Sequence, residues 1–422
     1  MNKPIKKVLK NGMRIVVIPM KESPTVTTLV YVNTGSRYET KEINGISHFL
    51  EHMFFKGTKK RKSSEISHEL DALGSLSNAF TWYEFTGYYA KARNKNFSKI
   101  TDVISDIYLN SEFPKEEIEK ERGVIMAEID MYKDSPASSV HFLLDELMYG
   151  NQPAGRSVLG SKENIKKIAR EDFIKYKEKH YVAKKTVVVV AGNINPKDVF
   201  KEVEEKFKGI KTNVGGKKKK VIEKQTKPEV KLENKKTDQA HLVIGFRSNN
   251  DKSKKNNATR VLSSVLGNGM SSRLFEKLRE EMGVAYYVRS SNSSYSDVGV
   301  FGISAGVDPK RINEVLNVVM KELAKLKNDL VLEKELNKAK EYLIGNMQMG
   351  VESSDSVAEW FGEFEISNLE LKTPKQMADE IMKVTAKDVQ KIAGEIFQNN
   401  KMNLAVIGPI KKNQDLLKYL KI

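Results

Sequence analysis

The feature that most constrains how this chain folds is that its second half repeats its first. Residues 186–194 correspond to 402–410, with Gly192 opposite Gly408, and Ala169-Arg170-Glu171-Asp172-Phe173 corresponds to Thr385-Ala386-Lys387-Asp388-Val389 at the same offset. Leu29-Val30-Tyr31 matches Leu242-Val243-Ile244, and Ser63-Ser64-Glu65-Ile66 matches Ser271-Ser272-Arg273-Leu274. Two copies of a unit of about 200 residues are too few for a solenoid and read as sibling α/β domains. Between them, residues 213–238 carry Gly215-Gly216, four consecutive lysines and then a nearly all-polar tract, which reads as a charged linker. The expected division is 1–212, 213–238 and 239–422.

Within the first copy, residues 8–18 read as a strand, an Asn-Gly turn and a second strand, and the β-branched run 24–34 as a sheet strand. Residues 63–73 predict a helix with Ser64 as N-cap, and 78–81 and 86–90 a pair of strands. Helices follow over 96–109, from Pro114 to about Lys133, and over 140–149, 170–180 and 196–207, the last after the buried strand 186–192. In the second copy 270–279 reads as a helix and 283–288 as a turn and strand.

Composition narrows the classes. A hydrophobic content of 39% supports packed cores, and no apolar run is long enough to span a bilayer. The N-terminus has neither an apolar signal-peptide segment nor a small-residue cleavage site, so the expectation is a cytoplasmic protein. Zero Cys excludes disulfides and leaves His and carboxylates as the only strong metal donors. The net charge of +17 is spread as Lys among interleaved acids, without a basic-aromatic module, so nucleic-acid binding is not expected; the charge suits solubility or acidic peptides.

The chemistry concentrates in residues 45–57. Ile46, Phe49, Leu50, Met53 and Phe54 recur at helical spacing, with Lys56-Gly57 as a last turn and cap. His48 and His52, four apart, project from one side with Glu51 beside them, which lets two imidazoles hold one zinc ion. A third ligand must come from elsewhere. The helix after Pro114 offers Glu117, Glu119, Glu121 and Glu128; Glu121 and Glu128 lie two turns apart on one face, and Glu128 sits among Val124, Ile125, Met126, Ala127 and Ile129, where an unpaired carboxylate is costly. The repeat places Val261 and Val265 opposite the two His, and Ala339 and Asn346 opposite Glu121 and Glu128. The second copy therefore keeps the pattern without the donors.

His48-x-x-Glu51-His52, together with Glu121 and Glu128, resembles the zinc site of the pitrilysin-type inverzincin metallopeptidases, the group of insulin-degrading enzyme and mitochondrial processing peptidase. The chain is most similar to the short bacterial processing-protease branch, over essentially its whole length. The resemblance implies an α+β fold of two homologous α/β domains, each a mainly antiparallel sheet packed against helices. It makes His48, His52 and Glu128 the zinc ligands and Glu121 the support of the metal ligands. Asn78-Ala79-Phe80-Thr81 stands where the family has Asn-Ala-Tyr-Thr against substrate backbone, with Phe80 losing one hydroxyl. By the same resemblance, Arg279 and Tyr286 are the pair that reaches the active site from the other half of a chamber.

The implied function is a zinc metalloendopeptidase for unfolded peptides, with Glu51 as general base and Zn²⁺ as cofactor. A chain of two domains, where long family members carry four, implies a homodimer with sites completed in trans, and neither nucleic acid nor membrane as partner. The alternatives are a non-catalytic partner or scaffold subunit, a nucleic-acid-binding protein and a different zinc hydrolase.

Overall fold

The structure, a computed structural model, describes residues 3–411 and 414–422. It contains eleven strands: β1 (Ile5–Val8), β2 (Arg14–Pro19), β3 (Thr25–Val32), β4 (Leu76–Thr81), β5 (Thr86–Arg93), β6 (Thr186–Gly192), β7 (Glu229–Asn234), β8 (Ala240–Ser248), β9 (Ala285–Ser294), β10 (Gly299–Val307) and β11 (Met402–Gly408). They form two sheets, β1-β2-β6-β3-β5-β4 and β7-β11-β8-β10-β9. Pairings are antiparallel except β2 with β6 and β7 with β11. The second sheet is the first without its outer hairpin strand, so the repeat extends to strand order and direction. The fold is mixed α/β with mainly antiparallel sheets, as expected.

The structure corrects the linker. Glu229–Asn234 is β7, pairing in parallel with β11 from Asn403↔Glu229 to Gly408↔Asn234. It is the counterpart of β2, which pairs with β6 from Arg14↔Val187 to Pro19↔Gly192. The tract before it is also anchored: Lys218 pairs with Glu84 at 3.2 Å, and Ile222 N donates to Gln152 Oε1 at 2.7 Å. Polar composition had hidden an edge strand, whose partly exposed faces tolerate charge.

The two compact units are discontinuous in sequence. The first comprises residues 1–129, 156–219 and 350–373; the second, 130–155, 220–349 and 374–422. This differs from a division into contiguous halves by one helix each way. In the first unit, Ser354–Ile366 lays Val357, Ala358, Phe361 and Ile366 on Val16, Leu29, Tyr31 and Val189 of the sheet. Gly362 permits this approach, because a Cβ there would lie 2.3 Å from the Tyr31 ring. In the second unit, Pro136–Tyr149 packs Val140, Leu143 and Leu144 against Val243, Ala405 and Ile407. Each copy thus contributes the helix that covers the other copy's sheet.

Two smaller expectations change. The helix Ser63–Ala72 starts after Lys62, whose backbone N–H donates to Glu65 at 2.6 Å, so Ser64 lies inside the first turn and is not the N-cap. Residues 270–279 give only Arg273–Phe275 as α-helix, running into a wider π-helical turn over Glu276–Glu281. No helix among the described residues is long and apolar enough to cross a membrane.

Candidate active site

The helix Ile46–Phe54 buries Ile46, Phe49, Leu50, Met53 and Phe54, the stripe expected from the spacing. Its start is fixed by Gly45, at φ +102°, and by Glu39. The buried Glu39 carboxylate accepts from Asn44 Nδ2, Gly45 N and Ser47 N, each at 2.8 Å. An anion at this end also complements the helix dipole. Ser47 Oγ lies 2.8 Å from the Tyr176 hydroxyl, which locks the residue before His48.

The packing of this helix against the first sheet leaves His48, Glu51 and His52 together. The imidazole centroids of His48 and His52 are 4.8 Å apart. Glu128, on the helix Lys115–Asp134, brings Oε2 to 3.5 Å from His48 Nε2 and 3.8 Å from His52 Nε2. Donor atoms of His48, His52 and Glu128 lie within 4.8 Å of one another. Burial, then the charge of His52, pushes His48 down to about 3, so it stands neutral, the form that ligates a metal. Among the described residues its buried Nδ1 has no hydrogen-bond partner. Burial raises the Glu128 carboxyl while His52 opposes the shift. Two imidazoles and one carboxylate, without thiol, form a donor set that fits zinc with a position left open.

His52 Nδ1 is 3.0 Å from Glu121 Oε2, which leaves Nε2 facing Glu128. Glu121 Oε1 is 2.6 Å from Lys56 Nζ. Burial works against the Glu121 carboxylate, but Lys56 and His52 outweigh it and hold the group below its ordinary range. Such a carboxylate–histidine pair fixes the tautomer of a ligating ring. Glu51 points to the same cluster. Burial pushes it up to about 7 against a hydrogen bond from Thr81 Oγ1 and the charge of His52.

Asn78, Ala79 and Phe80 lie on β4, the outer strand of its sheet, so among the described residues one side of their backbone has no strand partner. Asn78 is exposed. The Phe80 ring turns away from Thr81 onto Tyr31, at 5.6 Å between centroids, and Phe85. Arg279 and Tyr286 are brought together in the second unit, where the exposed Arg279 guanidinium donates to the Tyr286 carbonyl oxygen and lies over Phe275. Tyr286 is 61% exposed. Sequence reasoning missed Glu39, Thr81 as the partner of Glu51, and Lys56 as the partner of Glu121. Only Lys56 had a local signal, its place four residues after His52, just past the end of that helix.

Comparison with known proteins places the chain in a family. Residues 14–162 match the family described as Insulinase (Peptidase family M16), and residues 167–343 match the Peptidase M16 inactive domain. Val261, Val265 and Ala339, opposite His48, His52 and Glu121, lie within the latter, and Asn346, opposite Glu128, lies three residues beyond its end. The uncharacterized zinc protease YmxG of Bacillus subtilis (strain 168) is 36% identical over 95% of this chain and 97% of its own length. An uncharacterized zinc protease of Rickettsia bellii (strain RML369-C) is 34% identical over 95% of this chain and 96% of its own. Among solved structures, a protease from Helicobacter pylori superposes with a TM-score of 0.90 at 25% identity, covering 96% of this chain and all of that one. A Pseudomonas fluorescens structure described as a peptidase M16 inactive domain has the same fold, with a TM-score of 0.90 at 16% identity over 98% of this chain and all of its own. With both family domains matched in order and relatives above 30% identity along nearly the whole length, this chain belongs to peptidase family M16.

Proposed function

We propose that the protein is a zinc-dependent metalloendopeptidase that hydrolyses unfolded peptides. The observation that carries this reading is the convergence of His48, His52 and Glu128 within 4.8 Å, with Glu51 on the same helix and free of the donor set. His48, His52 and Glu128 would hold the ion, and Glu121 would orient His52. Bound there, zinc would supply a water of lowered pKa and a Lewis acid for the scissile carbonyl.

Glu51 then acts as general base. It takes a proton from the attacking water and delivers it to the amine nitrogen as the peptide bond breaks, leaving a carboxylate and a free amine. The Thr81 hydroxyl orients the carboxylate for that exchange. An extended substrate would add to the open edge of β4, reading backbone at Asn78, Ala79 and Phe80, which favours unfolded peptides over folded proteins. Arg279 and Tyr286, supplied by the second chain of a homodimer, would donate to the substrate carbonyl or the developing oxyanion. The competing reading is a non-catalytic subunit, and the intact donor set stands against it. Incubation with a mixed peptide library, with and without chelator and read by mass spectrometry, separates the two. Chelator-sensitive cleavage is expected, and a protein that binds zinc but cuts nothing would overturn the assignment.

A further inference from the structure

The lysine run ahead of β7 is fastened to the end of the strand that the proposed function gives to substrate. β4 stops at Thr81, and a tight turn leads into β5, with Trp82 N donating to Phe85 O at 2.8 Å. Residues 35–37 hold that turn from one side: Ser36 N donates to Trp82 O at 3.3 Å, Arg37 N to Tyr83 O at 2.9 Å, and Arg37 Nη1 to Glu84 Oε1 at 2.6 Å. Glu84 Oε1 also lies 3.2 Å from Lys218 Nζ. Just before it, Gly216 N donates to Lys179 O at 3.1 Å, and Gly216 is buried against His180, whose ring a Cβ would meet at 2.3 Å. Gly216 and Lys218 thus pin the run, while Lys217 and Lys219, which alternate with them, are exposed and pair with no carboxylate among the described residues. Lys179 is exposed as well. The acids beside the run are already engaged: Glu84 lies between two cations, and Lys211 holds Glu178 at 2.7 Å. The excess of positive charge is felt by Lys185, which burial and then Lys179 push down to about 8.

We propose that Lys217 and Lys219 form an accessory subsite for the acidic flank of an unfolded peptide, an inference that rests on the reading of β4 as the substrate edge. A peptide added to β4 runs along its axis and leaves past Thr81, toward the turn to which the lysine run is pinned. Thr81 donates to Glu51, so this end of the strand is also the end at the zinc site. At about 3.3 Å per residue the turn spans roughly two residues of an extended chain, so Asp or Glu about two to five residues from the scissile bond would reach the lysines. Backbone pairing at the edge reads no side chains by itself, and the lysines add a charge preference to it. Two lysines at the end of a peptide-pairing edge suit a short acidic segment of the same peptide, whereas a nucleic acid is held by a longer basic track with stacking rings.

The test is isothermal titration of the full chain carrying Glu51→Gln, so that bound peptide is not cut. The ligands are peptides of one neutral core: without acids, with Asp-Glu-Asp-Glu at the N-terminal end, and with the same segment at the C-terminal end. One acidic peptide, and only one, is expected to bind about fivefold more tightly than the neutral peptide, an advantage lost in about 0.5 M NaCl. Lys217→Gln combined with Lys219→Gln should bring that peptide to the neutral affinity. Lys217→Glu combined with Lys219→Glu should turn its advantage into a penalty and favour a Lys-flanked peptide at the same end, an inversion that a merely structural role would not produce. Equal affinities, an equal gain at both ends, or a gain that survives the glutamine substitutions would overturn the proposal. So would tighter binding of a single-stranded oligonucleotide through the same lysines, which would make nucleic acid the partner. Cleavage of the neutral peptide by the wild-type chain is read separately: its absence counts against the hydrolase and leaves the affinity comparison standing.

Discussion

Glu51 and Glu128 both face the His48–His52 pair, yet only Glu128 has an oxygen within 4 Å of both imidazoles. The two carboxylates should therefore separate cleanly. Glu51→Gln is expected to retain about one zinc per chain while kcat falls by roughly 10²–10⁴-fold, and Glu128→Gln or His48→Ala to lose the metal itself; elemental analysis beside a peptide assay reads both. A zinc-free Glu51→Gln protein, or an active one, would contradict the roles. Glu121→Ala should weaken zinc affinity by about 10–100-fold without abolishing it, since it acts through His52. The donors were legible because two of them sit four apart on one amphipathic helix, where spacing alone fixes direction. Thr81 was not, because its hydroxyl reaches Glu51 only after β4 packs against that helix. His180 was also unremarkable in sequence. It is 1% exposed and packed on Tyr176, and burial, then the charges of Lys185 and Lys179, push it down to about 3. Its folded value lies below the ordinary 6.5, so the unfolded chain takes up the proton first as pH falls. That contribution to stability is complete above pH 6.5 and is lost on acidification toward 3, by about 1–2 kcal/mol between pH 7 and 5. Thermal melts should show a flatter acid limb in His180→Leu.

At the level of elements, the helix Ile46–Phe54 depends on a residue outside it. Glu39 satisfies two backbone donors at the helix entrance and the amide of Asn44. Burial pushes its carboxyl up while those donors pull it back. Glu39→Ala would leave the Gly45 and Ser47 backbone N–H groups without this acceptor and the Asn44 amide with only Ser157 O, and we expect a loss of about 3 kcal/mol, or roughly 10 °C in Tm, by calorimetry. Glu39→Gln, which keeps an acceptor oxygen, should lose less. No local pattern announces Glu39, since it lies six residues before the helix cap and its role follows from how the intervening loop folds back. The hidden strand β7 is a different failure. Val230 and Leu232 alternate with Glu229, Lys231 and Glu233, a half-buried strand pattern, but the flanking lysines made the whole tract read as coil.

For the molecule as a whole, the proposed two-fold dimer yields a complementation test. Glu51→Gln and Arg279→Ala should each be nearly inactive alone; mixed and allowed to exchange, they should recover activity approaching about a quarter of wild type, because half the dimers are mixed and each has one working site of two. No recovery despite proven exchange would place Arg279 in its own chain's chemistry or outside the reaction. The repeat makes the presence of two sibling units legible in the sequence, but not their membership. The helices Pro136–Tyr149 and Ser354–Ile366 fit the amphipathic pattern of either copy, and only packing reveals that each covers the sheet built mainly by the other. That exchange sets a timetable on the ribosome. The strands of the first sheet are complete once residue 192 has emerged, but the helix that covers Val16, Leu29, Tyr31 and Val189 ends at Ile366. At about 5–20 residues per second, the nascent chain carries that apolar face uncovered for roughly 10–35 s. A release of synthesis before residue 350 should therefore yield an aggregating fragment, and the full chain should engage chaperones during translation more than its final stability would suggest.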